Sequence, residues 1–430
     1  MHFGSLPPFL RTRFAALSLC AGLACVASKG GVEPRNGQDR NVDAHSMDAA
    51  ERALPPFESL AMPALRWTVS RASLKHRAPP AVLKETLFAN DEHDIVALDL
   101  RSGRERWRKR LPMDLLPDLT ASDGRVFVND SVTIRALAAD SGKPLWTRRC
   151  PCAGGCWFGA VGESGVATCS LTGRQRTLGV GTKTGSVRWT RTIGASSRSR
   201  PAVDSSRAYF FIDEGDVADA GFDCLGLEHR LGLSGVALDL RTGIQVWKSR
   251  LSPDYSDLVA REGVLIVASR PAEVVRAADG SPVWNGDRPR DAACSVEFGG
   301  NMGVATTSVV LPGERTLERR ALSDGHILAT YRIPGLGEMD PLLPPADCHG
   351  RAWATDIKVI AALSYGRGAT VLAGYLVVWS DSVRRILQWP GGNAHEASVV
   401  GELLLVSDGS TLRAYSLAEP DGDRATQSAH

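Results

Sequence analysis

Ile95-Val96-Ala97-Leu98-Asp99-Leu100-Arg101-Ser102-Gly103-Arg104-Glu105-Arg106-Trp107 decides the fold of this chain, because its frame returns. A small residue, an Asp-like position, Ser or Thr before Gly, and Trp four residues after that Gly recur as Ala136 to Gly142 and Trp146. They recur again as Gly179 to Gly185 and Trp189, and as Ala237, Asp239, Gly243 and Trp247. A weaker copy runs from Val274 to Gly280 and Trp284. Self-similarity at roughly 40 to 50 residues marks a propeller or solenoid, in which one unit cannot bury its apolar face alone.

Each copy reads as a hairpin. An alternating strand such as Ile95 to Leu98 enters a turn in which Asp99 or Asp239 accepts hydrogen bonds from backbone N–H groups. Gly103, Gly142, Gly185, Gly243 or Gly280 supplies the positive φ. The Trp leaves on the next strand, where its ring can wedge against a neighbouring unit provided the indole N–H finds an acceptor. A second repeat lies just ahead. Leu87 to Asp91, Val126 to Asp130 and Leu404 to Asp408 each read as a strand ending in turn residues. The units therefore hold about four short antiparallel strands each, the blades of a β-propeller.

Outer strands are expected at Trp67, Trp107, Trp146, Trp189, Trp247 and Trp284. Degenerate units lie from Asp324 to Tyr331 and from Val383 to Trp389. That predicts an all-β, eight-bladed propeller from about Pro63 to Leu417. The unit at Leu403 to Leu417 lacks a Trp strand, and Leu65 to Val69 has nothing before it. The N-terminal strand is therefore expected to complete the last blade and hide two sheet edges. A seven-bladed ring with one unit misread is the rival.

The repeated phrase resembles the tryptophan-docking repeat of pyrroloquinoline quinone (PQQ)-type propellers. That superfamily holds quinoprotein alcohol dehydrogenases and the outer-membrane assembly lipoprotein family BamB. The resemblance implies either a quinone enzyme or a non-catalytic scaffold. Quinoprotein enzymes hold their cofactor against a ring closed by two adjacent cysteines, with calcium nearby, and this chain has no adjacent Cys pair. No cofactor, bound metal or catalytic residue is expected. A protein partner is, and resemblance to BamB would place it at the outer-membrane assembly machinery.

Arg11 and Arg13 precede an apolar stretch from Phe14 to Ala27, too short to span a bilayer and suited to a secretory signal over 1–27. Cys25, within Gly22-Leu23-Ala24-Cys25, is the expected lipidation site, with simple cleavage after Ala27 as the alternative. Residues 28–60 read as a polar tether, 61–417 as the propeller and 418–430 as a solvated tail. A formal charge of +2 on 430 residues gives no case for nucleic acid. A monomer is expected, held to a membrane by its lipid.

Seven cysteines follow the leader, and strand alternation puts all of them on the face of the inter-blade links. In an exported protein they read as disulfides, with Cys150, Cys152, Cys156 and Cys169 the source of two bridges of unspecified pairing. A four-thiolate metal site is the alternative for that group. The same face carries a long insertion from Asp213 to Leu233, including Phe222, Asp223 and Cys224. It is expected to be a partner-binding loop. Asn90-Asp91-Glu92-His93-Asp94 brings acids and imidazole together, but its alignment with Asn129-Asp130 and Ser407-Asp408 reads as a turn.

Overall fold

The computed structural model describes residues 62–72, 80–91, 93–111, 118–130, 132–152, 156–171, 174–194, 200–213, 233–251, 255–261, 263–269, 272–286, 294–297, 303–312, 316–332, 347–356, 358–367, 370–380, 383–388, 397–408 and 411–418. The leader with Cys25, the tether and residues 419–430 lie outside them. Every regular element among the described residues is a strand, and the strands form eight sheets.

Blade 1 runs outward through Ala81–Leu83, Thr86–Asp91, Asp94–Asp99 and Glu105–Arg110, each antiparallel to the last. Blades 2 to 5 repeat this order, with outer strands Pro144–Arg149, Val187–Ile193, Gln245–Arg250 and Pro282–Asn285. Blade 8 is built from Ala397–Val400, Leu403–Asp408 and Thr411–Ser416. Its outer place is taken by the N-terminal strand Ala64–Ser70, which pairs antiparallel with Thr411–Ser416. The ring is thus closed as the sequence predicts, with eight blades rather than seven.

Blades 6 and 7 depart from four antiparallel strands each. Blade 6 holds three, Ser308–Pro312, Thr316–Ala321 and Ile327–Arg332. The segment Cys294–Glu297 pairs in parallel with Asp347–Ala354, the first strand of blade 7, giving a five-stranded sheet. The inner place in blade 6 is occupied instead by the backbone at 303–305. Val304 bridges to Val309, and Ala305 N–H donates to Ser308 O at 2.9 Å. Cys294–Glu297 is thereby left to pair elsewhere.

The core lies between blades. In blade 1, Leu87, Ala89, Val96 and Leu98 pack with Leu405, Leu412 and Ala414 of blade 8. Their sequence neighbours Phe88, Ile95 and Ala97 pack with Val126, Val128 and Leu137 of blade 2. The two-residue period of a strand makes this division possible. Because both faces are covered, Thr86–Asp91 is buried at every position. Outer strands carry charge instead, such as Glu105, Arg106, Lys109 and Arg110, which blunts edges that would otherwise invite pairing.

Candidate functional site

Two features follow from this frame: the joints that hold the blades together, and the link face where the cysteines and the insertion emerge. At each of six consecutive joints a Trp leaves one blade and docks on the hairpin of the next. The indole N–H groups of Trp67, Trp107, Trp146, Trp189, Trp247 and Trp284 donate to the carbonyls of Leu100, Ala139, Thr182, Leu240, Ala277 and Leu322, at 2.8 to 3.3 Å. These acceptors occupy one position of the repeat.

The turn glycine is needed at these joints for two reasons. Gly103 and Gly243 both have φ +69, the left-handed region open to Gly. A Cβ on Gly103 would also stand 2.6 Å from Trp67, and one on Gly243 2.4 Å from Trp189. Gly142, Gly185, Gly280 and Gly325 meet the preceding Trp in the same way. The hairpin is closed by Gly103 N–H donating to Asp99 O at 2.8 Å. The Asp99 carboxylate accepts from the Ser102 N–H at 2.9 Å and hydroxyl at 2.8 Å, and from Arg106 at 2.6 Å. The Arg106 hydrogen bond, followed by those from Ser102, holds the Asp99 carboxyl far below its usual range. Asp239 is lowered likewise, first by the Thr242 hydroxyl at 2.7 Å. These residues build the ring; none is placed as a catalyst.

The two remaining joints use substitutes. Tyr331 of blade 6 packs against Trp379 of blade 7, with ring centroids 5.5 Å apart and ring planes tilted by 48°. At the joint into blade 8, Lys358 Nζ donates to Leu417 O at 3.2 Å and pairs with Glu402 at 2.6 Å. Leu417 occupies the repeat position of Leu100, so the ammonium does what an indole N–H does elsewhere.

On the link face, Cys150 bridges Cys156, and Cys152 bridges Cys169, with Cα atoms 6.2 and 6.0 Å apart. Cys156 and Cys169 are register partners on the first two strands of blade 3, Cys156–Val161 and Ser164–Leu171. Both bridges therefore tie the link from blade 2 to the top of blade 3. Asn129 Nδ2 of blade 2 donates to Cys156 O at 2.7 Å. Asp118 at the start of blade 2 pairs with Arg200 ahead of blade 4. With all four thiols in disulfides, the four-thiolate metal site does not form. No group of three His, Cys, Asp or Glu among the described residues could hold a metal. The bridges span 6 and 17 residues, so neither makes the ring of two adjacent cysteines on which a quinone would lie.

The insertion differs from expectation at its base. Asp213 and Leu233 are not loop residues but backbone partners, the last rung between Arg207–Asp213 and Leu233–Asp239. Phe222, Asp223 and Cys224 lie outside the described residues. The acidic segment at 90–94 is a turn, as expected: Asp91 pairs with Asp94 across a two-residue loop. Asp91 is buried and ion-paired with Arg108, a structural use. His326 is exposed and bonded to Asp324 at 2.6 Å.

Residues 63–222, covering the closing strand, blades 1 to 3 and the start of blade 4, match the family model described as outer membrane protein assembly factor BamB, a PQQ repeat. None of the curated proteins matches this chain. Among solved structures, BamB from Moraxella catarrhalis is similar at 15% identity, with 74% of this chain and 100% of that one covered and a TM-score of 0.41. The computationally designed Ika8 protein is similar at 12% identity, with 81% and 99% covered and a TM-score of 0.54. Quinohemoprotein alcohol dehydrogenase from Comamonas testosteroni is similar at 12% identity, with 83% and 77% covered and a TM-score of 0.53. At such identities the likeness speaks for the fold, and the latter two carry it.

Proposed function

We propose that this chain is an exported, lipid-anchored, monomeric propeller that works without catalysis, holding another protein at a site of outer-membrane assembly. The observation that carries this reading is the BamB-type repeat over residues 63–222. In it Cys25 bears the lipid, residues 28–60 are the tether, and the ring is the rigid body presented on the periplasmic side of the membrane.

The partner is taken by the link face, through the insertion between Asp213 and Leu233. A binding loop works best on a base that does not move. Here the rung Asp213 to Leu233 and, one blade away, the bridges Cys150–Cys156 and Cys152–Cys169 supply such a base. Phe222 and Asp223, within the loop, would supply apolar and charged contacts. Replacing residues 214–232 by Asn-Gly keeps the rung and gives a turn that suits a two-residue hairpin. The shortened protein should keep its thermal transition and lose crosslinking to its partner. Unchanged crosslinking would overturn the loop's role.

The competing reading is a quinoprotein-type oxidoreductase, or a Cys- or metal-dependent activity on the same face. Its support is the likeness of fold to the Comamonas testosteroni dehydrogenase. Against it stand the lack of adjacent cysteines and the use of four thiols in disulfides. Purified native protein should carry neither quinone absorbance nor stoichiometric metal.

A further inference from the structure

We infer that Cys294 and Cys348 form a third disulfide, which fastens the segment Cys294–Glu297, between blades 5 and 6 in the chain, to the first strand of blade 7. The two residues are direct backbone partners in the parallel ladder between Cys294–Glu297 and Asp347–Ala354. Register partners share one face of a sheet, and neighbouring strands run about 4.8 Å apart. That spacing falls within the roughly 4.4 to 6.8 Å between Cα atoms that a disulfide requires.

Two further observations favour the bond. The joint it would staple is the one at which Tyr331, not a Trp, meets the next blade. And Cys294–Glu297 has left blade 6, where Val304 bridges to Val309 instead, so its place depends on blade 7. The arithmetic of cysteines also closes. Of the seven beyond the leader, four are in bridges and Cys294 and Cys348 take two more, leaving Cys224 in the insertion as the odd thiol.

Formation joins the two sulfurs while both thiols lose their protons. The two electrons pass by exchange to a protein or glutathione disulfide, which is reduced to two thiols. In the cell the bond rests on the export reading, because such oxidants act outside the cytosol. The pairing itself does not, and it can be tested apart from the compartment.

The full-length protein, both from its native cells and refolded in a glutathione redox buffer, is alkylated under denaturing conditions without reductant and digested with trypsin. Cys224, Cys294 and Cys348 fall on separate tryptic peptides, 208–230, 291–315 and 333–351. Peptides 291–315 and 333–351 should appear joined, and Cys224 alkylated. In C294S the Cys348 peptide should become alkylated, and in C348S the Cys294 peptide, each from nearly none to nearly complete. A linked pair after refolding but only thiols in the native protein would uphold the pairing and remove the export reading. Alkylation of Cys294 and Cys348 in the refolded protein, or a bridge from either to Cys224, would overturn the proposal.

Discussion

Replacing Gly243 by Ala should weaken the ring far more than the same change at Gly263, although both glycines have positive φ, +69 and +81. Placing Ala in the left-handed region costs about 1–2 kcal/mol at either site. At Gly263 nothing lies within 4 Å of the added methyl, so that is the whole cost. At Gly243 the methyl would stand 2.4 Å from Cδ2 and 2.6 Å from Cε3 of Trp189. Moving the ring adds about 1–3 kcal/mol of overpacking. Losing its 3.0 Å bond to Leu240 O adds about 1 kcal/mol. The expected loss is therefore about 3–6 kcal/mol against about 1–2. Urea denaturation followed by fluorescence and circular dichroism reads both. In a Trp189→Ala background the obstacle is gone, and Gly243→Ala should cost no more than Gly263→Ala does, a coupling of about 2–4 kcal/mol. Equal shifts of the midpoint for the two glycines in the wild-type background would refute the docking argument.

Trp67→Ala should cost about 3–5 kcal/mol and expose the closing strand to proteolysis, because the indole is 7% exposed and bonded to Leu100 O at 3.1 Å; a loss under about 1 kcal/mol would mean that the strand does not close the ring. Stability should also fall in acid. Asp99 and Asp239 are lowered by their turn hydrogen bonds. Asp130 and Asp204 are lowered too: burial, the largest single influence, acts against the charge, but the hydrogen bonds from Arg135, Val132 and Thr133 to the first and from Tyr209, Ser206 and Arg207 to the second together outweigh it. A carboxylate depressed in the fold contributes above its unfolded pKa, about 3.9, and that contribution is lost as pH falls through the folded value. The melting temperature should thus drop from pH 5 to pH 2, less so in an Asp99→Asn, Asp239→Asn variant; the same drop in both proteins would show that these turns are not responsible.

What could be read from the sequence was what repeats. The six Trp joints, the hairpin turns and the closing strand were legible because one phrase carries the turn glycine and the docking ring together. The last two joints were not, since Tyr331 and Lys358 perform the Trp's tasks with other chemistry and at other positions. The edges of the insertion were misread for a local reason. Asp213, Ser234 and Gly235 break the apolar alternation, yet the ladder continues through Phe211 with Gly235 and Ile212 with Ser234. A Cβ on Gly235 would stand 2.5 Å from Leu251, so a strand glycine there makes room for packing and looks like loop only in sequence. The pairing of Cys150 with Cys156 and Cys152 with Cys169 needed three dimensions. So did the parallel ladder of Cys294 with Cys348, formed by segments 54 residues apart.

The central claim is that the propeller is a membrane-held scaffold for another protein. Crosslinking of the native protein in intact cells tests it most directly, with mass spectrometry of the captured proteins and of the protein's own N-terminal peptide. The account predicts a diacylated Cys25 and capture of outer-membrane barrel-assembly components. A soluble protein with an unmodified N-terminus and no protein neighbours would contradict it.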